Sequence, residues 1–262
     1  METTISAKII GGKEGKYIYC IIASGIPKTF GSLGIGGRSD EIYTISYKTI
    51  AAVVSNSPIK QYPVARENVI PHERAIEEVM KTYTVLPVRF NTIVEDEDMG
   101  KKVLEREYDK FVDLLKKMEG KKELGLKAVF KEEVIYKEIL EKYKDIRVAK
   151  EKIVSLPLEK TYSQRMDVGR MVEQALEREK EKYKEMILEM LRPLAEDAKI
   201  NYVYGERMIL NAAFLVNGNK EPEFDQKIQE LDGKYSDKIK FKYIGTLPPF
   251  NFVNLVIETG KY

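Results

Sequence analysis

The chain predicts an α+β protein in two domains: an N-terminal sheet-and-helix domain and a C-terminal ferredoxin-like domain that carries a long helix. Three observations lead there. Short apolar runs with strand character recur in both halves. Stretches with apolar residues at helical spacing separate them. One long charged stretch, residues 162–198, lies among the strands of the second half.

Length and composition allow this. With 262 residues and 43% hydrophobic content, two cores of ordinary size can be buried. Charged residues make up 33%, above the roughly 25% average, which fits well-solvated helix faces. Lys and Arg total 44 against 42 Asp and Glu, so charge gives no general attraction to nucleic acid or to an anionic membrane. No apolar run approaches the ~20 residues that span a bilayer, and no signal-peptide pattern opens the chain. A soluble, intracellular protein is expected.

The elements follow in order. Residues 1–16, with Gly11, Gly12 and Gly15, are expected to form a flexible tail before a first domain over 17–131. Tyr17 to Ala23 is apolar on both faces, the pattern of a central strand. Gly25 to Asp40, with five glycines and a proline, is a loop. Ile42–Ile45 and Ile50–Val54 are short strands. A helix should start near Pro71, since proline is pre-set for a first turn; Ala75, Ile76, Val79 and Met80 form its stripe. Val85 to Val94 returns to β character, Asp98 to Met118 is an amphipathic helix, and Glu123 to Phe130 is a strand.

A charged segment near 131–145 marks the boundary of a second domain over 132–262. Ile146 to Leu156 includes a strand, and 162–198 the long helix, kinked or ended near Pro193. Strands at 201–204 and 208–216, a helix at 221–235, and strands at 238–244 and 251–258 complete a βαββαβ order with one added strand.

Candidate chemistry is sparse. Cys20 is the only cysteine and sits in an apolar strand, so it reads as a small buried hydrophobe. His72 is the only histidine, and no nucleophile lies at a telling spacing from it; capping or an interface role fits it better than catalysis. One His and one Cys do not make a zinc site, and no carboxylate loop pattern suggests another metal. The glycines of 31–37 lack the Gly-Lys-Ser/Thr ending of a P-loop. In Lys238–Tyr243, alternation sends Ile239, Phe241 and Tyr243 to one face and three lysines to the other, which is core and solvent rather than an RNA platform. Paired carboxylates such as Glu132 with Glu133, or Glu95 with Asp96, could serve a hydrolase, but adjacent acids on charged stretches are ordinarily solvated. Pro87 favours an edge strand or bulge. Arg89, flanked by apolar residues, would need a carboxylate partner if buried, so it makes either a structural ion pair or a recognition contact. The Pro248-Pro249 corner stiffens the presentation of Phe250 and Phe252, with Phe250 either a core plug or an exposed anchor.

Seven segments in order carry a family resemblance. They are Tyr17-Ile18-Tyr19, Ala51–Ser55, His72-Glu73-Arg74 with Val79-Met80, Val85–Phe90, Glu123–Lys127, Ile209–Val216 and Gly245–Val253. Together they resemble the gas vesicle protein GvpF/GvpL family. The chain departs from it where the family usually has Gly-Pro-x-Pro-Pro-Tyr, and in lacking a Gly-Arg-x-Tyr-Leu-like element around Leu156 to Arg165.

The resemblance implies a non-enzymatic accessory or minor structural protein of gas vesicles, without cofactor or metal. Its partners would be the small hydrophobic shell protein (GvpA-like) and other gas vesicle accessory proteins, with no role for nucleic acid or a lipid membrane, at the gas vesicle or in the cytoplasm. Covering apolar shell surface before assembly would suppress aggregation. The residues this points to for partner binding are His72, Arg74, Arg89, Phe250 and Phe252. The competing reading is a ferredoxin-like module that senses a small ligand without catalysis.

Overall fold

The computed structural model describes residues 13–257, with the backbone alone at Leu158. The chain forms two compact units. One runs to Gly120 and takes up the chain again from Pro248; the other is Lys121–Leu247.

The first unit is built on β1 (Glu14–Ile22), whose residues Tyr17–Ile22 are fully buried, as a strand apolar on both faces requires. β2 (Tyr43–Tyr47) and β3 (Ile50–Pro58) follow as a hairpin, then α1 (Arg66–Met80), β4 (Val85–Pro87), β5 (Ile93–Val94), α2 (Glu97–Arg106) and α3 (Tyr108–Met118). The sheet order is β2-β3-β1-β4, with β5 also on β1, and every pairing is antiparallel. A bulge at Tyr19 separates the Ile18–Val54 and Cys20–Val53 pairs. Cys20 is buried as expected, which pushes its thiol pKa up and leaves it without thiolate reactivity.

The second unit opens with β6 (Lys121–Phe130), followed by α4 (Glu132–Lys142), α5 (Lys144–Val154) and α6 (Leu158–Leu191). β7 (Asp197–Ile200), β8 (Met208–Asn217), α7 (Glu221–Tyr235) and β9 (Ile239–Leu247) complete it. Its antiparallel order β7-β8-β6-β9 places the four strands as second, third, first and fourth, which is the ferredoxin-like arrangement. The buried faces of β6 and β8 meet α6 through Ile187, Leu188 and Leu191, and α7 through Phe224, whose ring lies 5.2 Å from that of Phe214. At 34 residues, α6 is about 51 Å long.

Several elements differ from expectation. β6, placed by sequence in the first domain, is a central strand of the second sheet, while the segment after Leu247, placed in the second, belongs to the first unit. The expected strand at 146–156 is helix α5: Ile146 and Ile153 are buried seven residues apart, two turns on one face, with exposed Arg147, Glu151 and Lys152 between them. α1 starts at Arg66 and holds Pro71 in its interior, because the Ala65 carbonyl already accepts from Asn68 and Val69. The single helix at 98–118 is two, broken at Glu107. α6 ends at Leu191, where Pro193 enforces a 3-10 turn at Arg192–Leu194, so the helix stops short of residue 198.

The edge strand β7 precedes the expected 201–204, whose Tyr202 and Tyr204 are exposed. At 251–257 there is a turn and one parallel bridge, Val88 to Leu255, in place of a strand, and Glu258 lies outside the described residues. Of the expected tail, 14–16 belong to β1 and 1–12 lie outside the described residues.

Truncating Phe214, fully buried in β8, tests where the second core sits. Phe214→Ala should cost about 3–5 kcal/mol. Amide exchange of β6 and β8 reads it as a loss of protection.

Candidate functional site

The first unit gathers most of the sequence-selected residues around one cleft of about 290 Å³. α1 contributes Val69, His72 and Glu73; the segment after β4 contributes Val88, Arg89 and Phe90; the returning C-terminal segment contributes Phe250, Val253, Asn254 and Leu255. The Arg89 N–H donates to the Leu255 carbonyl at 3.3 Å, which holds that segment on the sheet. Val253 and Leu255 are buried against it.

His72 sits on α1 one turn before Ile76, which turns it to the buried face, and it is only 2% exposed. Its ring stacks on Tyr19 at 5.8 Å and meets Phe90 edge-on at 5.6 Å, with Phe250 tilted 6.4 Å away. Nδ1 lies 3.1 Å from the Tyr17 hydroxyl, and Nε2 has no hydrogen-bond partner among the described residues. The tautomer follows from counting protons. Tyr17 Oη already accepts the Asn91 N–H at 3.1 Å, so its own proton goes to Nδ1 and the ring proton resides on Nε2. Burial pushes the imidazole pKa down to about 4; the Val88 backbone favours the charged ring weakly, at a geometry short of a hydrogen bond to Nε2. At neutral pH the ring is therefore uncharged.

The other selected residues divide. Phe250 is 40% exposed and stands between core and solvent, so it is neither a plug nor a free anchor. It follows the buried Pro248-Pro249 pair and heads a tight turn in which the Phe252 and Val253 N–H groups both donate to the Pro249 carbonyl. Phe252 is half-buried and does not line the cleft. Arg74 lies exposed on α1, away from the cleft lining. Arg89 corrects the ion-pair expectation. It is exposed and has no ion pair among the described residues, because the chain loops away from β1 between β4 and β5. Glu73 is the cleft's carboxylate, and burial together with Glu77 raises its pKa above the usual carboxylate value.

Residues the sequence did not single out hold this arrangement. Asn91 adopts a left-handed conformation (φ 69°) and brackets Tyr62, accepting its N–H at 2.9 Å and donating to its carbonyl at 2.7 Å. The Tyr19 hydroxyl meets Ser55 Oγ at 2.9 Å and accepts the Ile35 N–H at 2.9 Å, which pins the Gly-rich loop. That loop is irregular, as expected, but fastened. The signal available for these roles was the spacing of Tyr17 and Tyr19 on one strand face and an Asn inside an otherwise β-like run. Of the carboxylates weighed for hydrolysis, Glu95 pairs with Lys13, Asp96 caps α2 through the Met99 N–H, and Glu132 pairs with Arg207.

The fold and cleft define a class: an α+β protein of two units, one of them ferredoxin-like, whose cleft is mostly apolar and floored by a neutral imidazole. The family model for gas vesicle synthesis protein GvpL/GvpF matches residues 15–254, so the chain belongs to the GvpL/GvpF family. It is 24% identical over 242 residues to gas vesicle protein F of Dolichospermum flosaquae, covering 91% of this chain and 97% of that protein. It is 26% identical over 240 residues to gas vesicle protein F of Streptomyces sp. (strain CB03234), covering 90% and 98%. The crystal structure of GvpF from Anabaena sp. PCC7120 superposes with a TM-score of 0.79 at 24% identity, covering 93% of this chain and all of that one. GvpF from Microcystis aeruginosa gives 0.73 at 23%, covering 92% and 99%. These likenesses establish the fold, and family membership gives the chain a gas-vesicle-related role. No helix among the described residues is long and apolar enough to cross a membrane.

As the chain has a single histidine, ¹⁵N-histidine labelling yields one imidazole spectrum, expected to show the Nε2–H tautomer at pH 7. In the unfolded chain the ring takes its proton near the ordinary 6.5, whereas the folded ring refuses it until about 4. The unfolded state thus binds more protons in that window, and stability should fall as pH drops from about 6.5 to about 4. The loss is on the order of 3 kcal/mol. His72→Phe should flatten this part of the stability–pH curve, measured by urea midpoints.

Proposed function

We propose that this protein binds the small hydrophobic gas vesicle shell protein, keeps it from aggregating, and assists nucleation and assembly of the vesicle alongside other accessory proteins. It does so as a binding protein without catalysis, in the cytoplasm or at the vesicle. The observation that carries the reading is the family match along residues 15–254. The cleft supports it. Its lining is mostly apolar, its ionisable groups are His72, Glu73 and Arg89, and the stiff Pro248-Pro249 corner presents Phe250 half-exposed at low ordering cost. A shell subunit with uncovered apolar surface offers the complementary chemistry.

A second reading, a module that senses a small ligand, is favoured by one observation: the buried Nε2–H of His72 has no acceptor among the described residues, and an unmet buried donor costs about 1–3 kcal/mol. A carbonyl-bearing ligand would meet it.

Co-sedimentation with purified shell protein tests the first reading. Wild type is expected to keep shell protein in the supernatant. Phe250→Ala and Arg89→Ala, checked for folding by circular dichroism, should do so several-fold less well. A folded wild type that leaves shell-protein sedimentation unchanged overturns direct binding, and a fragment screen on the single-histidine spectrum then takes up the second reading.

A further inference from the structure

The second unit carries a groove that the cleft's chemistry does not use. Its volume is about 380 Å³, and it runs between α4, α5 and the N-terminal half of α6. Leu140 from α4 and Ile153 from α5 form one wall, and Val168 and Val172 of α6 the other. Val154, also in the lining, is 65% exposed, and Met166 of α6, outside the lining, is 51% exposed.

Two features indicate what fits there. The first is space. Gly169 lies on the groove-facing stripe of α6 with Arg165, Val168 and Val172, at i, i+3, i+4 and i+7. A Cβ added at Gly169 would meet nothing within 4 Å, and its backbone is ordinary helix. No neighbour in the chain requires glycine, although glycine weakens a helix interior. Its effect is to let another backbone approach α6 closely.

The second is charge. The charged groups lining the groove are both cations, Lys150 and Arg165; Tyr136 also lines it, and burial with Glu206 and Glu132 nearby pushes its phenol pKa up, so it stays neutral. Neither cation is in an ion pair among the described residues. Arg165 is held in place by carbonyl and hydroxyl acceptors only: Nε donates to Thr161 Oγ1 at 2.9 Å, and a terminal nitrogen donates to the Ile153 carbonyl at 3.0 Å. Its charge stays unneutralised and fixed at the groove wall.

We infer that this groove docks an amphipathic helix of a partner protein, with apolar residues at i, i+3, i+4 and i+7 against Val168, Gly169 and Val172, and a carboxylate toward Lys150 and Arg165. Helix-in-groove recognition uses this spacing, and the cations set orientation and discriminate against basic helices. The surface is separate from the His72 cleft and does not depend on the function proposed for it.

The test uses the full chain and two fluorescein-labelled peptides of roughly 18 residues, long enough for an Ala-rich helix. Both carry leucine at i, i+3, i+4 and i+7; one has glutamates beside that stripe and its twin has lysines. By fluorescence anisotropy, wild type should bind the acidic peptide at least about tenfold more tightly than the twin, a difference of about 1.4 kcal/mol. Gly169→Leu, which fills the approach, should weaken it about tenfold or more while keeping a Tm at or above wild type, so lost binding cannot be lost folding. Lys150→Glu should reverse the preference between the peptides. Phe250→Ala should leave binding unchanged. Failure of wild type to bind, equal binding of the twin, or unchanged binding by Gly169→Leu would each overturn the inference. So would wild-type self-association in sedimentation velocity that Gly169→Leu abolishes, which would make the occupant a second copy of this chain.

Discussion

The hydrogen-bonded aromatic pair Tyr17 and Tyr19 is the constraint on which the first unit depends. Both rings are fully buried on β1, 4.9 Å apart, and each hydroxyl must find partners in a medium where an unmet polar group is costly. Tyr17 finds them in the Asn91 N–H and His72 Nδ1, Tyr19 in Ser55 and the Ile35 N–H. Two side chains on one strand thereby tie down the Gly-rich loop, the loop between β4 and β5, and α1. Desolvation pushes both phenols upward, Tyr19 to about 12, so they stay neutral donors and acceptors throughout the physiological range. The cleft is the outer surface of this cluster.

The second unit solves a different problem. A four-stranded antiparallel sheet of the ferredoxin-like kind has one face covered by its two crossovers, each ordinarily a single helix. Here the first crossover contains three helices, α4 to α6, and only the C-terminal half of α6 carries the fully buried Ile187, Leu188 and Leu191. α4 and α5 pack against the rest of the helix: Lys142 and Tyr143 reach Glu179 just past its midpoint, and Arg165 in its N-terminal half ties to the end of α5. α4 and α5 are held by buried Ile135, Ile139 and Ile146 together with these polar contacts, and they carry some exposed apolar surface as well.

The match to the GvpL/GvpF family gives the chain a gas-vesicle-related role. Balanced charge, 44 basic against 42 acidic residues, keeps its surface solvated without attracting polyanions. Phe250, 40% exposed on a proline-stiffened turn, has little ordering entropy left to lose.

How much of this was legible in the sequence depended on the range of the forces involved. Local patterning determined the α+β class, the buried β1, the hairpin of β2 and β3, the presence of the long α6 though not its end, and the burial of Cys20, because strand alternation and helical stripes are read within a few residues. Seven ordered segments determined the family. Local patterning misread 146–156 as a strand, because a short apolar run flanked by charge fits either period until its neighbours are known. Only the tertiary structure decided that β6 belongs to the second sheet and the segment after Leu247 to the first unit, since strand pairing is settled between residues far apart in the chain. Only tertiary structure, likewise, set Arg89 in solvent and His72 in the core with its proton on Nε2. The hydrogen bonds that fix the cluster join residues 55 and 74 positions apart, and no local pattern records them.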